Sequence, residues 1–456
     1  MDLNAWQWLA LAERELLLFA GIFFLLGTLD ELAVDLTWLW LRVTRRAGSR
    51  PFADAIVPSA RRVAVFIPAW EESDVLATTL RHMLAAWREA GVQLWVGTYP
   101  NDRATAAIAA EAAYANPQIR HVVLPHDGPT TKADCLNHLY HALVAAERSE
   151  CPVDYVLVHD AEDMVDHRAL TVIGQARDAG ADMVQLPVLP MPVTRSRWIA
   201  GHYIDEFCES HAKAMVVRDA LGVALPSAGV GCAIGREWLD RLAASASSGD
   251  PFAPTSLTED YELGLRLAAM GARSRFVRQR GADGLLVATR ACFPASLGAA
   301  VRQKTRWMHG IAFQGWDRLG WHRRPAEIWW RLRDRRGPLT ALTLSAAYLL
   351  LVLAAASWLA RLAGGGVSVP LDPTIKLLLG VNLASLLWRA ANRAAFTARE
   401  HGWNEGVRAV LRIPVSNIIA IMAGRRALNA YLAALAGRPA RWDKTEHLDH
   451  PALAAP

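Results

Sequence analysis

No Cys-x-x-Cys pair and no Cys/His cluster occurs in this sequence. Its five cysteines, Cys135, Cys151, Cys208, Cys232 and Cys292, are odd in number and irregularly spaced. That pattern excludes a disulfide framework and a zinc site, and it fits reduced, buried thiols in the cytoplasm. Neither Gly-x-Gly-x-x-Gly nor the P-loop pattern is present, so the usual dinucleotide and P-loop readings lose support. Internal repeats, low-complexity tracts and long linkers are also missing. The net charge of +5 is small for 456 residues. The basic residues cluster beside apolar runs instead, which points to the inner ends of membrane helices and away from a nucleic-acid partner.

What is present is apolar: 53% of residues against 20% charged, the balance of a globular or membrane-associated chain. Leu16 to Leu41 is largely apolar and long enough to cross a hydrocarbon core of about 30 Å. It does not read as a signal peptide, because charged residues precede it, no small-residue cleavage site follows, and Arg42, Arg45, Arg46 and Arg50 lie on its far side. Retention of basic residues inside then places the N-terminus outside and residue 45 onward in the cytoplasm. Leu339–Leu362, preceded by Arg331, Arg333, Arg335 and Arg336, returns outward. Gly364–Gly366 and Pro370–Pro373 make an external turn, and Thr374 to Ala391 comes back in, ending at Arg389 and Arg393. Ile413–Ala423 is only 11 residues, bracketed by Arg408, Arg412, Arg425 and Arg426, and is expected to lie in the headgroup layer. The expectation is three membrane spans.

Asp30, Glu31 and Asp35 stand inside the first span. A carboxylate there costs about 2.5–3.5 kcal/mol on insertion scales, so a cation at similar depth is expected within about 4 Å, the ion-pair distance. The candidates are Arg389, Arg393 and Arg412, all between residues 389 and 426.

Between residues 60 and 295, short β-branched runs alternate with amphipathic stretches. Val63–Ile67, Leu94–Thr98, His121–Leu124, Tyr155–His159 and Met183–Leu186 read as strands, with helices over 74–90, 103–115, 131–147 and 167–178. The alternation predicts an α/β fold, a mainly parallel sheet with helices on both faces, whose ligand site lies at the carboxyl ends of the strands. The organisation expected is a transmembrane helix at 1–45, a cytoplasmic α/β domain at 46–297 and an amphipathic interfacial region at 298–337. Two transmembrane helices at 338–396 and an interfacial helix with a cytoplasmic tail at 397–456 complete it.

The polar residues of interest follow the strands. Pro68-Ala69-Trp70-Glu71-Glu72 comes after the first; its acids and aromatic suit a nucleobase, and equally a helix N-terminus with dipole-matched acids. After the fourth comes His159-Asp160-Ala161-Glu162-Asp163. Three carboxylates in four residues repel one another unless a cation holds them, and hard oxygen ligands are what Mg²⁺ or Mn²⁺ needs on a diphosphate. Thr258-Glu259-Asp260 precedes a helix; the acids either cap it, Thr258 lacking a Glu partner at the third position, or supply a general base. Gln303-Lys304-Thr305-Arg306-Trp307 lies just before the second span. It suits a pyrophosphate and sugar clamp and also a helix at headgroup level.

In order and spacing these motifs resemble the family 2 glycosyltransferases of GT-A fold, in the branch that includes cellulose and hyaluronan synthases. The resemblance implies that Pro68, Trp70 and Glu72 contact a uridine and that Asp102, after Tyr99-Pro100-Asn101, contacts the nucleotide. Lys132-Ala133-Asp134-Cys135-Leu136-Asn137 matches a donor segment, so Lys132 and Asp134 approach the donor. Asp160 and Glu162 take the two acidic positions of the metal-binding DxD, with Asp163 the alternative second ligand of Mg²⁺ or Mn²⁺. Glu259 and Asp260 are the catalytic acids, Asp260 in the base position. Gln303, Arg306 and Trp307 match QxxRW, the acceptor and pyrophosphate clamp.

Within that family, the chain is similar to the NfrB-type phage-adsorption protein B group of Gram-negative inner membranes. His159–Asp163, Tyr99–Asp102, Asp205-Glu206-Phe207, Pro226–Gly231 and the tail Trp442–His447 carry the likeness. It implies an inverting enzyme moving a hexose or N-acetylhexosamine from a UDP-sugar to a growing exopolysaccharide, in a lipid bilayer, with an outer-membrane export partner. Longer relatives carry a cyclic di-GMP-responsive domain; with Pro456 as the last residue, that control is expected on another chain or not at all. The rivals are transfer of a single sugar to a lipid carrier and a catalytically idle membrane scaffold or receptor component.

Overall fold

The computed structural model describes residues 5–44, 46, 50–51, 61–88, 91–364, 371–438 and 451. The tail motif Trp442–His447 and most of the turn between the second and third apolar helices lie outside the described residues. Two minor ladders pair β1 (Arg50–Pro51) with β10 (Gln279–Arg280), and β7 (Val188–Pro190) with β11 (Thr289–Ala291). The central sheet has seven strands: β2 (Arg62–Pro68), β3 (Gly91–Thr98), β4 (Ile119–Val123), β5 (Tyr155–Val158), β6 (Met183–Gln185), β8 (Cys232–Gly235) and β9 (Ser274–Phe276), in the order β4-β3-β2-β5-β8-β6-β9. All pairings are parallel except those of β8, which runs antiparallel to β5 and β6. The five strands expected from the sequence form, within two or three residues of their expected ends.

Successive residues of β2 face opposite cores, as the two-residue period of a strand requires. Val63, Val65 and Ile67 meet α2 (Leu76–Ala86), α3 (Arg103–Ala115) and α5 (Ala169–Asp178). Ala64 and Phe66 meet α4 (Lys132–Ala146), α8 (Arg236–Ser245) and α9 (Glu259–Ala269). With both faces covered, the polar loops at the carboxyl ends of β2, β3 and β5 converge at one edge of the sheet.

The remaining helices build the membrane side. A π-helical turn at Ser210–Ala214 joins α6 (Gly201–Glu209) to α7 (Met215–Ala220). α10 (Leu297–Met308) continues through a π-helical turn into α11 (Gly315–Leu319) and α12 (Pro325–Arg335). Among the described residues, four helices are long and apolar enough to cross a membrane: α1 (Ala5–Val43), α13 (Gly337–Leu362), α14 (Pro373–His401) and, after the short α15 (Trp403–Leu411), α16 (Ile413–Leu435).

α16 has 23 residues where the sequence suggested 11; the pair Arg425 and Arg426 sits on its exposed side and does not end it. Its contacts nevertheless hold both ends on the α/β domain. At the start, Arg412 donates to Asp205 of α6 at 2.5 and 2.9 Å. Toward the end, Tyr431 stacks on Phe313 with ring centroids 4.7 Å apart and donates to Asp317 at 3.0 Å. Between them, Ile419 packs with Tyr203, Ala300 and Val301.

The acids of α1 are paired, but with other cations than expected. Asp30 and Glu31 grip Arg333 and Arg336 at the base of α13, Glu31 lying 3.1 Å from Arg333. Asp35 meets Lys213 at 2.6 Å and accepts from the Trp388 indole at 2.8 Å. Arg393 and Arg412 are instead drawn to Asp205, at 3.2 and 2.5 Å. The reason is packing: α1 runs beside the α12–α13 junction, whereas Asp205 is wholly buried and takes the nearest guanidinium groups.

Candidate active site

The converging loops enclose a cleft of about 400 Å³. Every site residue expected from the sequence lines it except Asp102 and Asp134: Pro68, Trp70, Glu72, Lys132, Asp160, Glu162, Asp163, Glu259, Asp260, Gln303, Arg306 and Trp307 are all present. Asp102 is turned to local structure. It caps α3 by accepting from the Thr105 amide at 3.2 Å and holds the Glu71 amide at 2.5 Å. Glu71 has a φ of 53°, uncommon for a residue with a side chain, so Asp102 shapes the Pro68–Glu72 loop. Asp134 accepts from Thr130 at 2.7 Å and faces His126 and His138 outside the cleft.

At one end, Trp70 stands edge-on to Tyr99, with centroids 5.2 Å apart. A side chain at Gly128 would collide with the Trp70 ring, so this aromatic wall closes on bare backbone. In the middle lie the acids of β5. Asp163 is buried; its Oδ2 accepts from His159 Nδ1 at 2.8 Å and from the Asp160 amide at 3.0 Å. Its other oxygen, Oδ1, is buried with no hydrogen-bond partner among the described residues. Burial lifts the Asp163 carboxyl to about 6 against the pull of His159. Lys132, in the first turn of α4, donates to Asp160 and, at 2.9 Å, to the Gly229 carbonyl. Burial alone would depress the Lys132 ammonium, but Asp160, Glu259 and Asp260 outweigh it and hold its pKa above the ordinary lysine value. An all-oxygen donor set with an orphaned carboxylate oxygen, already neutralised by one cationic side chain, fits a divalent cation.

Across the cleft, Glu259 and Asp260 open α9. The Thr258 hydroxyl makes no cap bond to that helix; the acids occupy the first turn, where its dipole favours them. Asp260 Oδ1 accepts from the Tyr261 amide at 2.7 Å. Burial raises the pKa of both acids, that of Glu259 to about 7, with the neighbouring Asp260 next in effect, while Lys132 and Arg306 pull both down. Gly229 makes this arrangement possible. Its φ is +76°, and a Cβ there would stand 2.8 Å from Asp260 Oδ2. The sequence marked Gly229 only as part of Pro226–Gly231, and paired glycines after an apolar stretch were the available signal.

The far end is aromatic. Trp307, in the last turn of α10, lies 6.2 Å from Phe207 and 6.5 Å from Phe293 between ring centroids. Lys304 sits 4.8 Å over the Trp307 ring and pairs with Glu206. Gln303 Oε1 is buried without a partner among the described residues. Phe207, Phe293 and His211 line this end; the sequence marked Phe207 only within Asp205-Glu206-Phe207, and Phe293 and His211 carried no motif.

The comparisons agree with this geometry. The profile described as Glycosyltransferase like family 2 matches residues 60–310. Bacteriophage adsorption protein B of Escherichia coli (strain K12) and Bacteriophage N4 adsorption protein B of Escherichia coli O157:H7 are each 32% identical over 470 residues, covering 95% of this chain and 62% of the relative. The chain therefore spans about three fifths of the length of these curated relatives. Among solved structures, the mannosyltransferase PcManGT from Pyrobaculum calidifontis, in complex with GDP-Man and Mn²⁺, aligns with a TM-score of 0.53 at 16% identity, covering 88% of this chain and 99% of that one. At that identity the likeness speaks for the fold. The matched residues 60–310 contain the whole sheet and all the strand-end acids of the cleft, and on that ground the chain belongs to the Glycosyltransferase like family 2 and is a glycosyltransferase of GT-A fold.

Proposed function

We propose that the chain transfers a hexose or N-acetylhexosamine from a UDP-sugar to a growing exopolysaccharide, with inversion, at the cytoplasmic face of a bacterial inner membrane. The observation that carries this reading is the meeting of Asp260 with Lys132 and Asp160 in one cleft, whose far wall is the Trp307 helix packed on α16. Trp70 and Tyr99 bind the face of the base, and Glu72 and Lys132 reach toward the ribose and diphosphate. Asp160, with Glu162 and Asp163 beside it, would hold Mg²⁺ or Mn²⁺, which supplies Lewis-acid neutralisation of the diphosphate when bound. Trp307 stacks on the acceptor ring and Gln303 Oε1 accepts from one of its hydroxyls. Asp260 takes the proton of the attacking hydroxyl as its oxygen bonds to the anomeric carbon and the carbon–oxygen bond to UDP breaks. Arg306 stabilises the charge that leaves.

Chelator should abolish transfer, and Mg²⁺ or Mn²⁺ should restore it. Asp160→Ala should be rescued by neither and should lose Mn²⁺ binding in a calorimetric titration. Full activity in chelator would leave these acids as a turn. Glu162→Gln and Asp163→Asn, titrated side by side, identify the second ligand as the one whose loss weakens Mn²⁺ more.

The raised pKa values set the pH profile. A base works only when deprotonated, and burial raises the Asp260 pKa, so turnover should fall at low pH along a limb that lies above the ordinary aspartate range. Burial and the charge of Asp260 hold Glu259 largely protonated where Asp260 titrates, so Glu259→Gln should leave that acidic limb in place. Loss of the limb in this variant would make Glu259, and not Asp260, the titrating base.

The basic ends of α1, α13 and α14 lie on the side of the catalytic domain, which supports a cytoplasmic placement by the retention of positive residues. Reporters fused near Gly365 should read as external, and those near His401 and after Leu435 as cytoplasmic. An external signal after Leu435 would make α16 a fourth span.

A further inference from the structure

A second cavity, of about 1030 Å³, opens where α1 and α14 meet the α/β domain, away from the cleft. Seven arginines line it: Arg42, Arg46, Arg273, Arg275, Arg278, Arg324 and Arg399, against two carboxylates, Asp219 and Glu327. Both carboxylates are engaged: Asp219 pairs with Arg275 at 3.0 Å, and Glu327 accepts from the Ala224 amide at 2.9 Å. Glu400, at the rim, pairs with Arg278 at 2.6 Å and with Arg280, and lies 4.0 Å from Arg399. Arg42, Arg46, Arg273 and Arg324 form no ion pair among the described residues. The arginines also repel one another. Burial, joined by Arg280 and Arg399 against the pull of Glu400, draws the Arg278 guanidinium down to about 10. Residues 47–60, between α1 and β2, carry one acid, Asp54, and one base, Arg50.

The placement of these charges indicates the counter-ion. Arg42 lies in the last turn of α1 and Arg399 in the last turn of α14, so both sit where those helices leave the apolar layer. Trp38, whose indole donates to the Ala212 carbonyl at 2.9 Å, carries Arg42 over its ring at 5.2 Å. Planar guanidinium groups at the headgroup level, beside an interfacial indole, recognise phosphate oxygens by paired hydrogen bonds. We infer that this cavity binds the phosphate headgroup of an anionic phospholipid from the leaflet facing the catalytic domain. The inference rests on the membrane placement proposed above and on no step of the transfer. Occupancy would relieve the arginine repulsion and tie the inner ends of α1 and α14 to β9 and α7 through lipid.

The test uses the full chain, reconstituted in mixed phosphatidylcholine and phosphatidylglycerol and then exchanged into neutral detergent, with retained lipid measured by mass spectrometry. Wild type should retain phosphatidylglycerol in excess over phosphatidylcholine, and Arg42→Gln with Arg399→Gln should lose that excess. Arg46→Gln with Arg324→Gln, at exposed positions with no ion pair to lose, should weaken it independently. Arg425→Gln with Arg426→Gln, removing the same charge from α16, should leave it intact. Equal retention of the two lipids by wild type, or undiminished excess in both cavity variants, overturns the inference. If inorganic pyrophosphate binds wild type in detergent and phosphatidylglycerol shows no excess, the cavity serves a soluble phosphate and the lipid assignment falls. Transfer measured on the same preparations is a separate result: lipid excess without transfer by any donor would sink the enzymatic reading and leave this site standing.

Discussion

Asp260→Asn should abolish transfer, by about 10²–10⁴ in rate, the usual effect of losing a general base, while UDP still binds. The separation is expected from position. Asp260 faces the cleft from α9, whereas Trp70, Tyr99 and Asp160, the residues proposed to hold the nucleotide, line it from the opposite strand ends. Stability should not fall. Burial raises the Asp260 pKa in the folded chain, so its charged form is the destabilised one and stability is lost as pH rises. A neutral amide removes that penalty, and thermal unfolding near neutral pH should stay level or move upward. Calorimetric UDP binding, the unfolding midpoint and initial rates together check the variant. Product at more than about a tenth of the wild-type rate would be inconsistent with a base.

Breaking the Asp205–Arg412 pair should have the largest effect on stability. Both side chains are 0% exposed, and Arg393 and Glu405 complete the network at 3.2 and 2.8 Å. Removing one partner of a buried pair leaves an uncompensated charge and costs about 3–5 kcal/mol. Arg412→Ala should therefore lower the unfolding midpoint sharply and release α16 from α6. Because α16 packs on α10, acceptor use through Trp307 should suffer more than donor binding at the strand ends. Replacing Asp205 and Arg412 together by apolar residues of similar volume should recover much of the loss. If Arg412→Ala unfolds like wild type, the pair does not anchor α16.

The fold and the cleft were legible because their signals are local. Each strand is a short β-branched run and Asp160 follows one directly, whereas Asp260 and Lys132 stand in the first turns of helices and were marked by their motifs. Asp102 follows β3 in the same way and yet does not line the cleft, and Asp134, in the first turn of α4, is turned to Thr130 outside it. An acid after a strand can equally cap the next helix, and only the amide it faces decides between the two. Gly229 was not legible as a site residue, because its role is to have no side chain beside Asp260. The partners of Asp30, Glu31 and Asp35 were misjudged because depth in a membrane ranks cations without saying which helix lies alongside. Arg333 and Arg336 stood in the sequence as the basic flank of the second span and proved to be the clasp on α1. The length of α16 was cut at Arg425 and Arg426 because two adjacent charges hide the apolar stripe that continues past them.

The most direct measurement incubates membranes holding the full chain with labelled UDP-glucose, UDP-N-acetylglucosamine, UDP-galactose and UDP-N-acetylgalactosamine, with GDP-mannose for comparison, and sizes the product. The account predicts a long saccharide from one UDP-sugar, formed only with a divalent cation and absent in Asp260→Asn. A single sugar on lipid would contradict the polymerising role, and no turnover of any donor by a chain that still binds UDP would contradict catalysis itself.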